Sequence, residues 1–246
     1  AFNESSNPIQ SAVSNASDGD TIFVYNGTYI LTEPQEWQIS VNTPNLTLKG
    51  EGADVVTLDG YGADTIIIYL GPTGYGYSGA APGCVVEGFR FTNATIGIGV
   101  EENSPNCIIR GNIFTVGGTG ISVHAENTTV MGNIIDGGKT KGGNPIKGSN
   151  CTIVDNIIKN TTGSYYALGI YGKECTIVNN TITNNKGAGL SLNYEYSVNN
   201  TIVRNNITSN EYAGIELYKA GSYNKIYLNN IVDNGKTATT TGTTAP

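Results

Sequence analysis

The chain has 246 residues, 13% of which are charged, with a net charge of −7 and a pI near 4.7. The few arginines and the scattered lysines form no basic patch, which excludes a nucleic-acid-binding surface, and no apolar run reaches the ~20 residues of a membrane span. The chain opens on Ala1 without a signal peptide, which is compatible with the processed N-terminus of a secreted or cell-surface protein.

The first predicted element is a cap over residues 1–20. The segment 8–16 places its apolar residues on one face of a short helix and has a proline in the tolerated first turn. A strand is predicted at 21–25, and the turn Asn26–Gly27 ends it. The cap therefore leads directly into β structure.

From residue 46 onward the chain repeats itself at intervals of 21–25 residues. One marker position heads each repeat: Leu46, Cys84, Cys107, Thr128, Cys151, Cys175, Asn200 and Asn224. Apolar residues stand two and seven positions later, and a third apolar segment follows in most repeats. The first interval is longer because a loop, 71–82, is inserted.

Repeats of this length with three short strands predict an all-β fold, a right-handed parallel β-helix of about eight coils. Stacked coils lie ~4.8 Å apart, so each residue lies on its counterpart in the next coil. An asparagine five positions after the marker is therefore predicted to form a hydrogen-bonded ladder: Asn112, Asn133, Asn156, Asn180, Asn205 and Asn229. We expect one domain, 1–235, and a Thr-rich tail or linker, 236–246.

The pattern Gly–Asp–Thr–Ile–x–Val–x–x–Gly–Thr–Tyr over residues 19–29 resembles the opening of pectate-lyase-like parallel β-helix proteins. Within that superfamily, the Asn-rich coils are similar to those of NosD-type and archaeal or bacterial cell-surface β-helix proteins. The resemblance covers about residues 8–235 and implies the fold and an extracellular setting. NosD-like proteins are tied to copper-site maturation, but this chain lacks the Met, His and Cys surfaces that copper requires, so we predict no cofactor.

All four cysteines occupy the marker position, in two pairs on adjacent coils. The ~4.8 Å coil spacing lies within the Cα–Cα range of a disulfide, so both bridges are allowed: Cys84–Cys107 and Cys151–Cys175. Free thiols that fill small core positions are the alternative. A metal site does not fit, because no His or carboxylate shares this inward column.

Asn-x-Ser/Thr sequons are more frequent than the composition predicts, and in a secreted protein they are candidate glycosylation sites. They begin at Asn3, Asn15, Asn26, Asn45, Asn93, Asn127, Asn150, Asn160, Asn179, Asn199 and Asn206.

An enzyme would need acid–base groups on neighbouring coils. The aspartates with which β-helix polysaccharide lyases hold Ca²⁺ have no counterpart here, so calcium has no predicted site. Aligning Val100 with Val123 stacks Glu101 on His124, and this pair is the remaining catalytic candidate. Nearby lysines could hold an acidic glycan: Lys139, Lys141 and Lys147.

Tyrosines cluster on or beside the third strand of the C-terminal coils, and four of them are candidates for glycan or protein contact: Tyr171, Tyr194, Tyr196 and Tyr218. The alternative is that tyrosine is simply favoured on exposed strands.

Strand alternation predicts an outward apolar stripe along the coils, which would fit a packing partner. Its members are Met131, Val154, Val178 and Val203 in one column and Ile113, Ile134 and Ile157 in the other.

We therefore expect a non-enzymatic, secreted cell-surface structural protein that self-assembles into a layer, sheath or filament. Lateral contact along the stripe and end-to-end contact at the uncapped last coil would hold it together. The alternatives are a polysaccharide lyase or hydrolase acting on an acidic glycan, and a glycan-binding adhesin.

Overall fold

The computed structural model describes residues 7–31, 37–62, 65–71, 79–138, 143–163 and 165–235. Four of the positions or segments discussed above lie outside the described residues: Asn3, Lys139, Lys141 and the tail 236–246. The middle of the inserted loop, 72–78, also lies outside them.

The N-terminal cap is a single short helix, α1 (Pro8–Ser14). Asn7 caps it by accepting a hydrogen bond from the Gln10 N–H at 3.0 Å, and the proline follows the cap, where its missing N–H costs nothing. Ile9 and Val13 are buried against the first coil. Among the described residues, no helix is long and apolar enough to cross a membrane.

The remaining described elements are strands. They are β1 (Thr21–Val24), β2 (Gly27–Ile30), β3 (Trp37–Val41), β4 (Thr47–Gly50), β5 (Val56–Asp59), β6 (Ile66–Leu70), β7 (Val85–Glu87), β8 (Arg90–Thr92), β9 (Ile96–Val100), β10 (Ile108–Arg110), β11 (Ile113–Thr115), β12 (Thr119–Val123), β13 (Thr129–Met131), β14 (Ile134–Asp136), β15 (Asn144–Ile146), β16 (Thr152–Val154), β17 (Ile157–Lys159), β18 (Tyr166–Ile170), β19 (Thr176–Val178), β20 (Thr181–Thr183), β21 (Ala188–Asn193), β22 (Thr201–Val203), β23 (Asn206–Thr208), β24 (Ile215–Tyr218), β25 (Lys225–Tyr227) and β26 (Asn230–Val232).

The strands form three parallel sheets that run the length of the solenoid. The first sheet contains every third strand from β1 to β25, the second every third strand from β2 to β26, and the third every third strand from β3 to β24. Each turn of the chain contributes one strand to each sheet, so the predicted all-β parallel β-helix of about eight coils with a short N-terminal helix is confirmed.

The three-residue strands of the first two sheets from β7 to β23 each bury their central side chain between two more exposed ones. Ile153 pairs with Ile177 on the next coil of the first sheet, and Ile158 pairs with Ile182 in the second. Identical apolar residues thus stack into continuous columns that fill the core, as the repeat predicts.

The predicted asparagine ladder lies at the bend between the first and second sheets. The Asn156 N–H and side-chain amide both donate to Asn180 Oδ1 at 3.0 Å, and the amide also donates to Val130 O at 2.9 Å. Asp155, just before it, has a positive φ of 56°, which makes the bend. Two shorter ladders, which we did not predict, stand at the other bends: Asn185, Asn210 and Asn234, and Asn200 and Asn224.

The four cysteines are free, buried thiols in the structure. Neither predicted disulfide is formed: Cys84–Cys107 and Cys151–Cys175. Each thiol instead donates a hydrogen bond to a backbone carbonyl at 3.2–3.4 Å, which satisfies it inside the core. Burial raises the pKa of Cys84 to about 11 and that of Cys107 to about 12.

The third sheet differs from the other two because several of its strands are buried on both faces. Glycines on its outer face make room for tyrosine rings. A Cβ on Gly99 would lie 3.1 Å from the Tyr69 ring, and one on Gly169 would lie 2.3 Å from the Tyr166 ring. Aromatic side chains therefore cover this face, and the functional candidates lie beside them.

Candidate functional site

A single row of residues, exposed or partly exposed except for the buried Asn193, follows the last inward residue of the third-sheet strands. Its members lie on consecutive coils and are called here the outer row: Glu101, His124, Lys147, Tyr171, Asn193 and Tyr218. Backbone hydrogen bonds keep the coils in register there, from His124 N to Val100 O at 2.8 Å and from Lys147 N to Val123 O at 2.7 Å. The row contains the Glu101–His124 pair, Lys147 and two of the four candidate tyrosines.

His124 is the side chain of this row that can act as a base. It is half-buried, and its Nε2 lies 3.4 Å from Ser122 Oγ. Burial first, and the nearby Lys147 ammonium second, lower the pKa of His124 below its ordinary value, whereas Glu101 and Glu102 act in the opposite direction. The imidazole is therefore neutral near pH 7 and can accept a proton.

Lys147 supplies a positive charge on the next coil. Its side chain is exposed, and it makes no salt bridge within the described part of the chain. An unpaired ammonium beside a neutral histidine is a suitable partner for a carboxylate of a ligand.

Tyr171 follows Lys147 and is held by a second tyrosine. Its hydroxyl hydrogen-bonds the hydroxyl of Tyr166, whose ring lies 5% exposed over Gly169. Burial first, and then this hydrogen bond, raise the pKa of Tyr166 well above its ordinary value. Tyr166 therefore keeps its proton and fixes the position of the Tyr171 phenol.

Beyond Tyr171 the aromatic rings continue toward the C-terminal coils. Tyr194 lies 5.9 Å from both Tyr171 and Tyr218, and 5.8 Å from Tyr196, measured between ring centroids. We call these four residues the tyrosine platform. Lys219 Nζ lies 5.6 Å from the centre of the Tyr218 ring. Tyr194 and Tyr218 are each 41% exposed, so their ring faces can stack on a sugar.

The predicted apolar stripe lies on the opposite side, at the corner between the first and second sheets. All seven members point outward and are partly or well exposed, with Ile157 at 37%. The stripe stands apart from the outer row, and whether it is an interface remains a prediction.

The sequon asparagines among the described residues are all exposed. Three of them donate their side-chain amide to an aspartate of the preceding coil at 2.8 Å, in the pairs Asn45–Asp18, Asn93–Asp59 and Asn160–Asp136. These amides already have partners, whereas Asn127 and Asn150 show no such bond among the described residues. Glycosylation of any site remains a prediction.

An open cleft of about 810 Å³ lies at the bend before the third sheet, away from the outer row. Ile30, Asp59, Tyr61 and Asn93 line it. Both carboxylate oxygens of Asp59 accept hydrogen bonds, from the Tyr61 N–H at 2.9 Å and the Asn93 amide at 2.8 Å. Because Asp59 already has hydrogen-bond partners, the cleft offers a ligand fewer free polar groups than the outer row does.

The sequence relationships of the chain are clear over nearly its full length. Residues 13–245 match the family described as periplasmic copper-binding protein (NosD). The chain belongs to the NosD family. Comparison with curated protein sequences gave no match. The predicted resemblance to NosD-type proteins within the pectate-lyase-like superfamily is thereby confirmed.

Solved structures that resemble this NosD-family chain include several polysaccharide-active proteins. The mannuronan C-5 epimerase A-module of Azotobacter vinelandii shares 16% identity at a TM-score of 0.66, over 92% of this chain and 70% of that one. An alginate lyase from Paenibacillus shares 13% identity at a TM-score of 0.52, over 94% of this chain and 97% of that one. The alginate lyase AlyF-OU02 shares 13% identity at a TM-score of 0.57, over 92% of this chain and 59% of that one. At these identities the likeness shows the fold alone.

The family description implies copper, and the residues present do not fit it. Cys84 and Cys107 are buried, and their raised pKa values oppose the thiolate form that binds a soft metal. Met131 lies on β13 of the first sheet, and His124 follows β12 of the third. No group of three or more His, Cys, Asp or Glu side chains within the described ranges could hold a metal ion. We therefore derive no step through copper.

Proposed function

We propose that this NosD-family protein acts on an acidic polysaccharide at the outer row, by removing the proton next to a uronate carboxylate. The observation that supports the proposal is that a neutral base, His124, and a hydroxyl donor, Tyr171, flank the Lys147 cation on three consecutive coils. The alginate lyases and the epimerase with similar folds act on such glycans, according to their names, but they support the proposal at fold level only.

The chemistry follows from the order of the side chains. Lys147 binds the uronate carboxylate and stabilises the negative charge that develops there when the neighbouring C–H bond breaks. His124 takes that proton and becomes imidazolium. Tyr171 then gives its proton either to the leaving glycosidic oxygen, as the C–O bond breaks and a C=C bond forms, or back to carbon from the opposite face. The first outcome is a lyase reaction and the second an epimerisation.

Proton exchange with solvent tests both outcomes at once. Polymannuronate, polyguluronate and polygalacturonate are incubated with the protein in D₂O, and deuterium at the uronate carbon is measured by NMR together with unsaturated ends by ultraviolet absorbance. We expect incorporation by the wild type, and loss of at least about 100-fold in His124→Ala and Lys147→Ala. Lys186→Ala removes another exposed cation and serves as the control. No incorporation and no unsaturated product with any of the polymers overturns the proposal.

The proposal places the protein outside the cytoplasm, where polysaccharide is found and where the NosD family is described as periplasmic. Glycans on the exposed sequons belong to the same setting. Intact-mass measurement of protein isolated from its own source tests this modification.

Self-assembly is a second candidate, which the last coil favours. The residues of its core columns are exposed, with Leu217 at 41%, Ile226 at 37% and Ile231 at 45%. The apolar stripe is a weaker basis. Five coils at ~4.8 Å with two columns of side chains cover roughly 300 Å², against the ~800 Å² per partner of a stable interface.

End-to-end contact at the last coil is therefore the form of assembly that we retain. Electron microscopy and sedimentation of the purified protein test it. We expect particles longer than one solenoid at high concentration, and their loss in Ile231→Lys. A protein that stays monomeric and dispersed at high concentration contradicts self-assembly and leaves the polysaccharide proposal untouched.

A further inference from the structure

The two ends of the outer row differ in a way that bears on how a glycan enters. On the basis of the proposed function, we infer that the site is one-sided: the polysaccharide lies along the tyrosine platform with its terminal uronate at Lys147 and His124, and the coil that carries Glu101 and Glu102 blocks the chain from continuing. The protein would then act from chain ends.

The first reason is steric. The side chain of Glu101 lies against Gly71, where an added Cβ would be 2.7 Å from Glu101 Cβ. The turn that follows is bound to the end of the inserted loop, because the Asn103 amide donates to Gly79 O at 2.6 Å and the Ala81 N–H donates to Ser104 Oγ at 3.0 Å. The described flank of the inserted loop therefore packs against the turn directly after Glu101.

The second reason is charge. Glu101, Glu102 and Glu126 lie on or beside the first two coils of the row, and none of them forms a salt bridge within the described residues. Two of them, Glu101 and Glu102, are close enough to His124 to act on its charge. A second uronate on this side would meet uncompensated carboxylates, which repel it.

The opposite direction offers aromatic rings and lysines as well as carboxylates. The rings of Tyr171, Tyr194 and Tyr218 continue for two further contacts of 5.9 Å each, and Lys219 stands over the last ring. Glu195 and Glu216 also lie on this side, but Ser191 Oγ donates to the Glu216 carboxylate at 3.3 Å, and the exposed Lys173 and Lys219 supply positive charge on neighbouring coils. Sugar rings therefore find aromatic faces and balanced charge only toward the C-terminal coils.

Product size during the reaction distinguishes the two modes of attack. For the wild type acting on the polyuronate that it processes in D₂O, we expect the smallest product from the earliest times and a slow fall in viscosity. In the double variant Glu101→Gln/Glu102→Gln, cleavage inside the chain should appear and the viscosity should fall at least about tenfold faster. Glu174→Gln/Glu211→Gln removes two exposed carboxylates elsewhere and should behave as the wild type.

A binding measurement keeps the inference testable if the reaction is an epimerisation, which leaves the chain length unchanged. His124→Ala binds without turnover, and calorimetry with polymer and with short oligouronates gives the number of sites. We expect one protein bound per chain end rather than per chain length. Many proteins bound along one polymer, or mid-chain products from the wild type, overturn the one-sided site. Absence of any Lys147-dependent binding or exchange points instead to failure of the proposed function.

Discussion

The hydroxyl groups of Tyr166 and Tyr171 hydrogen-bond each other across the outer face of the third sheet, with the Tyr166 ring lying over Gly169. One ring is buried and the other borders Lys147, so the pair connects the packed face of the sheet to the proposed site. Tyr166 is thus a positioning residue that touches no substrate. This arrangement leads to the first prediction.

Tyr166→Phe keeps the ring over Gly169 and removes only the hydroxyl. We expect the free energy of unfolding to fall by about 1 kcal/mol, the contribution of one hydrogen bond. Deuterium exchange of the uronate should fall several-fold with little change in KM, because Tyr171 loses its orientation. Urea unfolding and the exchange rate measure the two effects. Tyr223→Phe, at an 80% exposed tyrosine outside the platform, is the control, and an unchanged exchange rate in Tyr166→Phe contradicts the positioning role.

The pH dependence of the reaction should follow the one histidine of the chain. The pKa of His124 is lowered by burial and by Lys147, so the active neutral form persists below pH 6.5 and activity is lost only as the pH falls through the lowered pKa. The free energy of unfolding should change with pH in the same direction, because protonation of His124 is disfavoured in the folded state. The contribution of His124 is fully present above its pKa in the unfolded chain and declines as the pH falls below that value.

Lys147→Met removes one of the two causes of this shift, so the midpoint of the His124 titration should move to higher pH. Because the chain has a single histidine, its ring proton can be followed by NMR without assignment. Lys186→Met should leave the midpoint in place. A midpoint that stays in place or moves downward in Lys147→Met would contradict an action of the ammonium on the ring.

The asparagine ladder should carry much of the stability of the coils. Asn156→Ala removes the acceptor of the Asn133 N–H and of its side-chain amide, both at 3.0 Å. The buried N–H then loses its partner, whereas the amide keeps its bond to Ile109 O at 2.9 Å. We expect a loss of about 2–4 kcal/mol in the free energy of unfolding. Asn229→Ala, at the half-exposed end of the ladder, should cost less, because water can replace the lost oxygen. Equal losses in chemical denaturation would contradict this account.

The thiols offer a test of the core near the first coils. Cys84 and Cys107 are buried with raised pKa values of about 11 and about 12, so a thiol reagent at pH 8 should react slowly with the native protein. Four thiols per chain should react after unfolding without reductant. Fewer than four would mean that a pair is oxidised, as the sequence also allows.

Much of the fold could be predicted because each coil repeats the same chemistry. The spacing of Ile153, Asn156 and Ile158 predicted the inward columns and the ladder, and both are present. The site was harder to predict from the sequence than the fold. Glu101 and His124 could be aligned through Val100 and Val123, whereas the fifth coil has Pro145 in its third strand, which hides the repeat.

Because Pro145 hides the third strand of its coil, the repeat does not show that Lys147 lies in one row with Tyr171. The hydrogen bond between Tyr166 and Tyr171 depends on how a ring folds back over a glycine, which periodicity does not report. The state of the thiols could not be predicted from the sequence for a similar reason. A coil spacing of ~4.8 Å suits a disulfide and a pair of thiols equally well, and the direction of each Sγ decides between them.

Each side-chain oxygen of the asparagine ladder accepts a hydrogen bond from the asparagine of the preceding coil, so the ladder has a direction. Every coil must therefore place its asparagine at the same position of the bend. Such a chain can lengthen only by duplicating whole coils. The outward positions carry no such condition: the column that holds Glu87 and Arg110 on two coils holds Met131 and Val154 on the next two. New chemistry can therefore arise one coil at a time on the surface while the interior stays the same.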